Sequence, residues 1–177
     1  MQKYYPLLVA LHWLMALMIL MALAAGGLLL ANMPPDSPDK IEGLAGHMAV
    51  GMAIGVLLIL RLLTRLRSTH PPQAETGNDL LDRLGRWTHW AFYLLIAGMV
   101  LTGLTTALAL GLFPIVYGAA ADTLPAELGT FGPRVAHGLV SKLLAALIAL
   151  HIAAALYHQF ILKDGLLRRM WFGKRSP

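Results

Sequence analysis

Three histidines at regular spacing mark the last apolar stretch of the chain. The segment "HGLVSKLLAALIALHIAAALYH" places His137, His151 and His158 fourteen and then seven residues apart. A helix turns by about 1400° over fourteen residues and about 700° over seven, so the three imidazoles lie within roughly 60° of one another. His137 and His151 are then about 21 Å apart along the helix axis. The spacing predicts one stripe of imidazoles at three depths.

The composition indicates what kind of helix carries this stripe. Of the 177 residues, 58% are hydrophobic and 13% are charged, whereas soluble domains carry about 25% charged residues. A helix needs about 20 apolar residues to cross a bilayer, and only helices and closed barrels satisfy their backbone groups in lipid. We therefore predict an all-α integral membrane four-helix bundle, one domain over residues 1–177, with spans near residues 7–31, 44–63, 90–113 and 135–162.

The charges predict how the bundle is oriented. The N-terminus, the link between the second and third spans, and the C-terminal tail hold Lys3, Arg61, Arg65, Arg67, Arg83, Arg86, Lys163, Arg168, Arg169, Lys174 and Arg175. The other two loops hold two cations and five acids: Lys40, Arg134, Asp36, Asp39, Glu42, Asp122 and Glu127. Because positive loops stay inside, both termini are predicted in the cytoplasm. No groove-reading motif accompanies the basic residues, so we expect lipid and no nucleic acid as a partner.

With this topology the histidines fall at two levels. His47 and His137 share the outer level, and His12 and His151 lie within a turn or two of sharing the inner one. Imidazoles on facing helices at equal depth suit ligation of the iron of a b-type haem from both sides. The chain has no cysteine, which excludes iron–sulfur clusters and the covalent attachment of c-type haem. The pattern predicts two noncovalent haems b, whose metal ligands are these four histidines.

Alternatives exist for several of these residues. His89 and His158 also lie on the cytoplasmic side and compete for the inner haem, and any one histidine could simply bond a neighbour. Arg61 lies on the stripe of His47, about 21 Å deeper. There it either pairs with a haem propionate or extends toward the cytoplasm.

Two further residues on the spans have no settled role. Gly51 lies on the face of His47, where it either leaves room for a macrocycle or packs against another helix. Lys142 has no assigned role.

Several motifs resemble the bacterial cytochrome b561 family over nearly the whole length. They are Leu11-His12-Trp13, Gly46-His47, Arg61-Leu62-Leu63, His89 with Tyr93-Leu94-Leu95, and the fourth span followed by Lys163-Asp164 and Leu167. The resemblance implies two haems b, the inner one held by His12 and His151 and the outer one by His47 and His137. It also implies a place in the bacterial inner membrane, ubiquinone bound near His158 and electrons supplied by superoxide.

The expected function is electron transfer across the membrane from superoxide to ubiquinone, which makes the protein an oxidoreductase. His158 would be its catalytic residue, because an imidazole can bond a quinone carbonyl and relay a proton. Two departures stand against the resemblance: Lys142 replaces an expected neutral polar residue, and the acidic outer loops do not predict attraction of superoxide. The alternatives are a cytochrome b anchor subunit of a larger dehydrogenase or hydrogenase and, without haem, a transporter. The short loops favour a protein without a protein partner.

Overall fold

The computed structural model describes residues 3–69, 71–72, 76–118 and 123–173. Three residues counted in the charge argument, Asp122, Lys174 and Arg175, lie outside the described residues. The long helices are α1 (Pro6–Ala24, continued by a π-helical Ala25–Leu30), α2 (Pro38–Arg67), α3 (Asp79–Ala109) and α5 (Gly132–Tyr157, continued by a π-helical His158–Leu162). Shorter helices are α4 (Leu112–Tyr117), a 3₁₀ turn (Ala126–Gly129) and α6 (Leu166–Arg169). By length and composition, four helices in the described chain could cross a membrane, and the prediction of an all-helical protein is confirmed.

The helix boundaries differ from the predicted spans most clearly in α3. This helix begins at Asp79 rather than at residue 90, because the Asn78 side chain accepts the N–H groups of Leu80 and Leu81 and caps it. It ends at Ala109 rather than at residue 113, since Gly111 takes a left-handed φ of 60° before α4 begins. Hydropathy marks only the part of a helix that is apolar, whereas caps and glycines decide where it starts and stops.

A small apolar cluster fills the middle of the bundle. Met15, Ile19, Ile54, Ile96 and Leu144 form the buried cluster. Leu144 is seven residues from both His137 and His151, so it lies halfway between the two histidine levels along α5. Most other large side chains face outward (Leu94 is 74% exposed), as a lipid-facing surface requires. The apolar layer therefore separates the two levels instead of forming a site itself.

The first and last described residues of the chain lie at one end of the bundle. The Tyr4 backbone N–H donates to the Arg169 carbonyl at 3.2 Å, and Arg169 Nη1 donates to the Pro72 carbonyl at 2.7 Å. These bonds join the N-terminus, the α2–α3 link and the tail that follows α5. We call this the inner end. At the opposite, outer end, the Tyr117 hydroxyl donates to the Ala45 carbonyl at 2.7 Å and ties α4 to α2.

Candidate haem-binding site

The two outer histidines face each other. His47 on α2 and His137 on α5 have ring centroids 6.2 Å apart, with ring planes inclined by 74°. His47 Nδ1 is buried and has no hydrogen-bond partner among the described residues. On α1, a Cβ at Gly26 would stand 3.0 Å from His47 Cε1. Only glycine therefore allows α1 to approach this ring so closely.

Helix α3 fixes the orientation of His137. The Nδ1 atom of this ring lies 3.0 Å from the Met99 carbonyl oxygen and 3.1 Å from Thr102 Oγ1. Because a carbonyl only accepts, Nδ1 must carry the proton, and Nε2 keeps its lone pair for a metal. A Cβ at Gly103 would stand 3.2 Å from His137 Cε1. The sequence did not indicate Thr102 or Gly103, since a threonine in an apolar helix ordinarily bonds its own backbone.

A cation lies beside the outer pair. Arg134, in the first turn of α5, is close enough to act electrostatically on both His47 and His137. One guanidinium nitrogen lies 3.4 Å from the point where a Cβ of Gly138 would stand. From the sequence alone, Arg134 is one of two cations in loops that also hold five acids, and such loop totals do not reveal which charge folds toward the site.

The inner level contains three histidines. The His151 ring centroid on α5 is 6.3 Å from that of His12 on α1 and 6.2 Å from that of His89 on α3. His89 Nδ1 lies 3.0 Å from the Gly85 carbonyl oxygen. Nδ1 therefore carries the proton, and Nε2 of the neutral ring has a lone pair. The structure thus brings His12 and His151 together, and it places the predicted competitor, His89, equally near.

Arg61 extends across the bundle at this inner level. Its Nη1 donates to the Leu8 carbonyl on α1 at 2.8 Å, one turn before His12. The guanidinium lies close to the buried Tyr93 hydroxyl. This bond ties α2 to α1 one turn nearer the inner end than His12, so extension toward the cytoplasm stays a prediction. Pairing with a propionate stays a prediction.

Two glycines of α2 differ in their surroundings: one leaves room that a macrocycle could occupy, and the other packs against a neighbouring helix. A Cβ at Gly51 would meet nothing within 4 Å, whereas one at Gly55 would stand 3.0 Å from Val100 Cγ1 on α3. Gly55 therefore allows close helix packing, and Gly51 leaves open space one turn from His47. The Lys142 side chain is exposed, which suggests no part in either histidine level.

His158 lies at the end of α5, beyond the inner level. Its Nδ1 is 2.5 Å from Asp164 Oδ2, and its side chain is 13% exposed. The Tyr157 ring centroid is 6.3 Å from its own. Burial raises the pKa of Asp164, but the hydrogen bonds from His158 and from the Leu166 N–H, with the charges of His158 and Arg169, outweigh it and hold this pKa below the ordinary value. Asp164 is therefore a carboxylate at neutral pH.

The histidine pairs fit the axial ligands of a haem. Each pair would hold one iron between its rings with centroids about 6 Å apart, since a metal–nitrogen bond is about 2 Å long and each ring centre lies about 1 Å beyond its nitrogen. The measured separations are 6.2 Å for His47–His137 and 6.3 Å for His12–His151. The lone pair on Nε2 of His137 and the buried, unpartnered Nδ1 of His47 would suit such an iron.

Four membrane-length helices around two levels of facing histidines are typical of helical membrane cytochromes. The chain belongs to the prokaryotic cytochrome b561 family, whose sequence model matches residues 3–173. It is 30% identical to a protein of Yersinia pestis named "Probable superoxide oxidase CybB", over 99% of each chain. It is also 27% identical to "Cytochrome b561 homolog 2" of Escherichia coli strain K12, over 99% of this chain and 94% of that one. Members of this family bind haem b and transfer electrons in bacterial membranes.

Proposed function

We propose that the protein is a diheme cytochrome b that carries electrons across the bacterial inner membrane, from superoxide outside to ubiquinone inside. One observation carries this proposal: facing imidazoles occur near both ends of the bundle, with centroids 6.2 and 6.3 Å apart. When bound, the two haems supply one-electron redox chemistry at the two levels. The inner end, with both termini, then faces the cytoplasm, as its basic residues favour.

At the outer level the chain holds the rings and attracts the donor. His47 and His137 are the proposed ligands, and the Met99 carbonyl with Thr102 keeps Nε2 of His137 unprotonated. Arg134 places a positive charge beside this pair, where an anion such as superoxide is attracted despite the acidic loops. The name of the Yersinia relative supports the same donor.

At the inner level His12 and His151 are the proposed ligands, with His89 as the alternative for the first of them. Arg61 lies at this depth with its guanidinium turned into the bundle, where it is proposed to pair with a propionate. His158 lies seven residues after His151, about 10.5 Å nearer the inner end. That separation is too long for ligation of the same iron and suits a quinone head between the two.

The balanced reaction shows that protons must be supplied to the quinone, which is the role proposed for His158. Two superoxide anions each lose one electron and become oxygen, while one ubiquinone gains two electrons and two protons and becomes ubiquinol. His158 is proposed to take up protons from water at the inner end, to donate its Nε2–H to a quinone carbonyl, and to pass these protons to the quinone.

The isolated protein tests this function. Purified without partners, it is expected to contain two acid-extractable haems per chain, to be reduced by superoxide, and to form ubiquinol from added ubiquinone. His158→Leu is expected to keep both haems and their reduction by superoxide but to slow reoxidation by ubiquinone at least about tenfold.

Two outcomes would contradict parts of this scheme. A two-haem protein that superoxide fails to reduce, but that a dehydrogenase or hydrogenase partner reduces, would make it an anchor subunit instead. Reoxidation of His158→Leu at the wild-type rate would place the quinone elsewhere. Stopped-flow mixing of the reduced protein with ubiquinone measures that rate directly.

A further inference from the structure

We propose that Asp164 is a positioning residue that keeps a proton on Nδ1 of His158, so that Nε2 is the nitrogen that takes up a proton from water and donates it to the quinone. This inference rests on the proposed quinone site at His158. Neither the composition nor the spacing of the histidines indicated Asp164, which lies six residues further along the chain.

The carboxylate is held on both of its oxygens. Oδ2 accepts from His158 Nδ1 at 2.5 Å, and Oδ1 accepts the Leu166 backbone N–H at 2.9 Å. The two side chains are 13% and 26% exposed, so water competes only weakly for this contact. A carboxylate with both oxygens engaged has little freedom to rotate away, and the imidazole it bonds is equally restricted.

The backbone is bent in order to form this contact. The α5 helix widens into a π-helical turn from His158 to Leu162, a feature that often occurs at functional sites. Lys163 then adopts a left-handed φ of 53°, and Gly165 one of 70°. Lys163 is the sole residue other than glycine with a positive φ in the part of the chain that the structure describes. Surrounding contacts hold such a conformation, and here they include the Asp164 bonds to His158 and to the Leu166 N–H.

The surrounding charges leave Asp164 as the direct partner of His158. Asp82 of α3 is a second carboxylate that acts on His158 electrostatically, but its oxygen bonds the N–H and hydroxyl of Thr76 instead. Arg169 acts on Asp164, while its own Nη1 donates to the Pro72 carbonyl. Asp82 thus supplies charge without a hydrogen bond, which makes it a natural control.

The two ring nitrogens of His158 then have separate roles: Nδ1 bonds Asp164, and Nε2 exchanges protons with the quinone. Nδ1–H stays bound to the carboxylate, so Nε2 takes up a proton from water, donates this N–H to a quinone carbonyl and delivers the proton as the electrons arrive. The imidazole is then neutral again, with its remaining proton on Nδ1 and a lone pair on Nε2. An imidazole free to adopt the other tautomer would spend part of its time with the proton on the wrong nitrogen. The buried aspartate of serine-protease triads orients its histidine in the same way.

Three substitutions separate this role from general charge and from packing. Asp164→Asn keeps an oxygen for the Leu166 N–H but removes the carboxylate, and reoxidation of the reduced protein by ubiquinone is expected to slow about tenfold or more. Asp164→Glu, which retains a carboxylate, should recover part of that rate. Asp82→Asn should stay within about twofold of wild type. Haem content and reduction by superoxide should be unchanged in all three.

The outcomes test the role of Asp164 separately from the proposed quinone site at His158. A slow His158→Leu variant beside a wild-type rate in Asp164→Asn overturns the role of Asp164 and leaves the quinone site standing. Wild-type rates in both overturn the quinone site itself. Equal slowing by Asp82→Asn assigns the effect to charge and overturns positioning. Nitrogen-15 NMR of the wild-type histidine rings decides independently of any variant: a neutral His158 with its proton on Nε2 overturns the proposal.

Discussion

The outer and inner histidine levels are built on the same spacing but are specified to different degrees. At the outer level two rings face each other, each has a glycine of another helix close against it, and α3 fixes the tautomer of one. At the inner level His151 has two histidines at almost equal distance, with a guanidinium nearby. The outer level thus resembles a rigid ligand pair, and the inner level has additional groups that can take part in redox and proton chemistry.

The largest expected effect is loss of one haem at the rigid level. His47→Ala or His137→Ala should remove the outer haem and leave the inner one, because each ring is the sole imidazole facing the other in the described outer level. Haem content, measured as the pyridine haemochrome, should fall from two per chain to one. Retention of both haems in either variant would mean that this pair does not bind an iron.

A comparison of two single variants resolves the ambiguity at the inner level. His12→Ala should lose the inner haem, and His89→Ala should retain it, since the proposed ligands lie on α1 and α5. The same haemochrome assay, with reduced spectra to identify the haem that remains, measures both. The reverse result would make His89 the ligand and leave His12 as a neighbour of the site.

A smaller effect is expected from crowding the outer ring without removing it. Gly103→Ala would place a methyl group 3.2 Å from His137 Cε1, so the ring must tilt away from α3 and weaken its bonds to Met99 and Thr102. The outer haem should be retained but with altered electron paramagnetic resonance, while the inner haem is unaffected.

The matched control for this crowding is Gly98→Ala on the same helix. Its added methyl group would make an ordinary contact of 3.7 Å with Val140. Identical spectra for the two variants would show that the close approach of α3 to His137 is unimportant.

The sequence predicted the helices and the facing histidines, but not the groups that orient them. Hydropathy locates four spans, and a fourteen-residue interval on α5 is enough to predict two levels. The acceptor for His137 is a backbone carbonyl at Met99, which no residue type reveals. Asp164 reaches His158 only through the left-handed backbone at Lys163, and nothing local in "LKDG" requires that bend. Contacts that depend on tertiary approach, or on one unusual dihedral angle, are beyond spacing arguments.

The smallest effect expected is an electrostatic one at the inner level. Arg61→Leu removes a cation that lies among His12, His89 and Tyr93, and both haems should still bind. A positive charge stabilises the reduced, more negative state of a nearby iron, so its removal should lower the inner potential. A shift of tens of millivolts is expected, since about 59 mV corresponds to a tenfold change for a one-electron couple. The outer potential should not move, because Arg61 lies two turns beyond the apolar layer at Ile54.

Redox titration of both haems measures the two shifts together. An unchanged inner potential would mean that Arg61 serves only as the helix tie to the Leu8 carbonyl, and the difference between the two levels would then rest on their histidines alone.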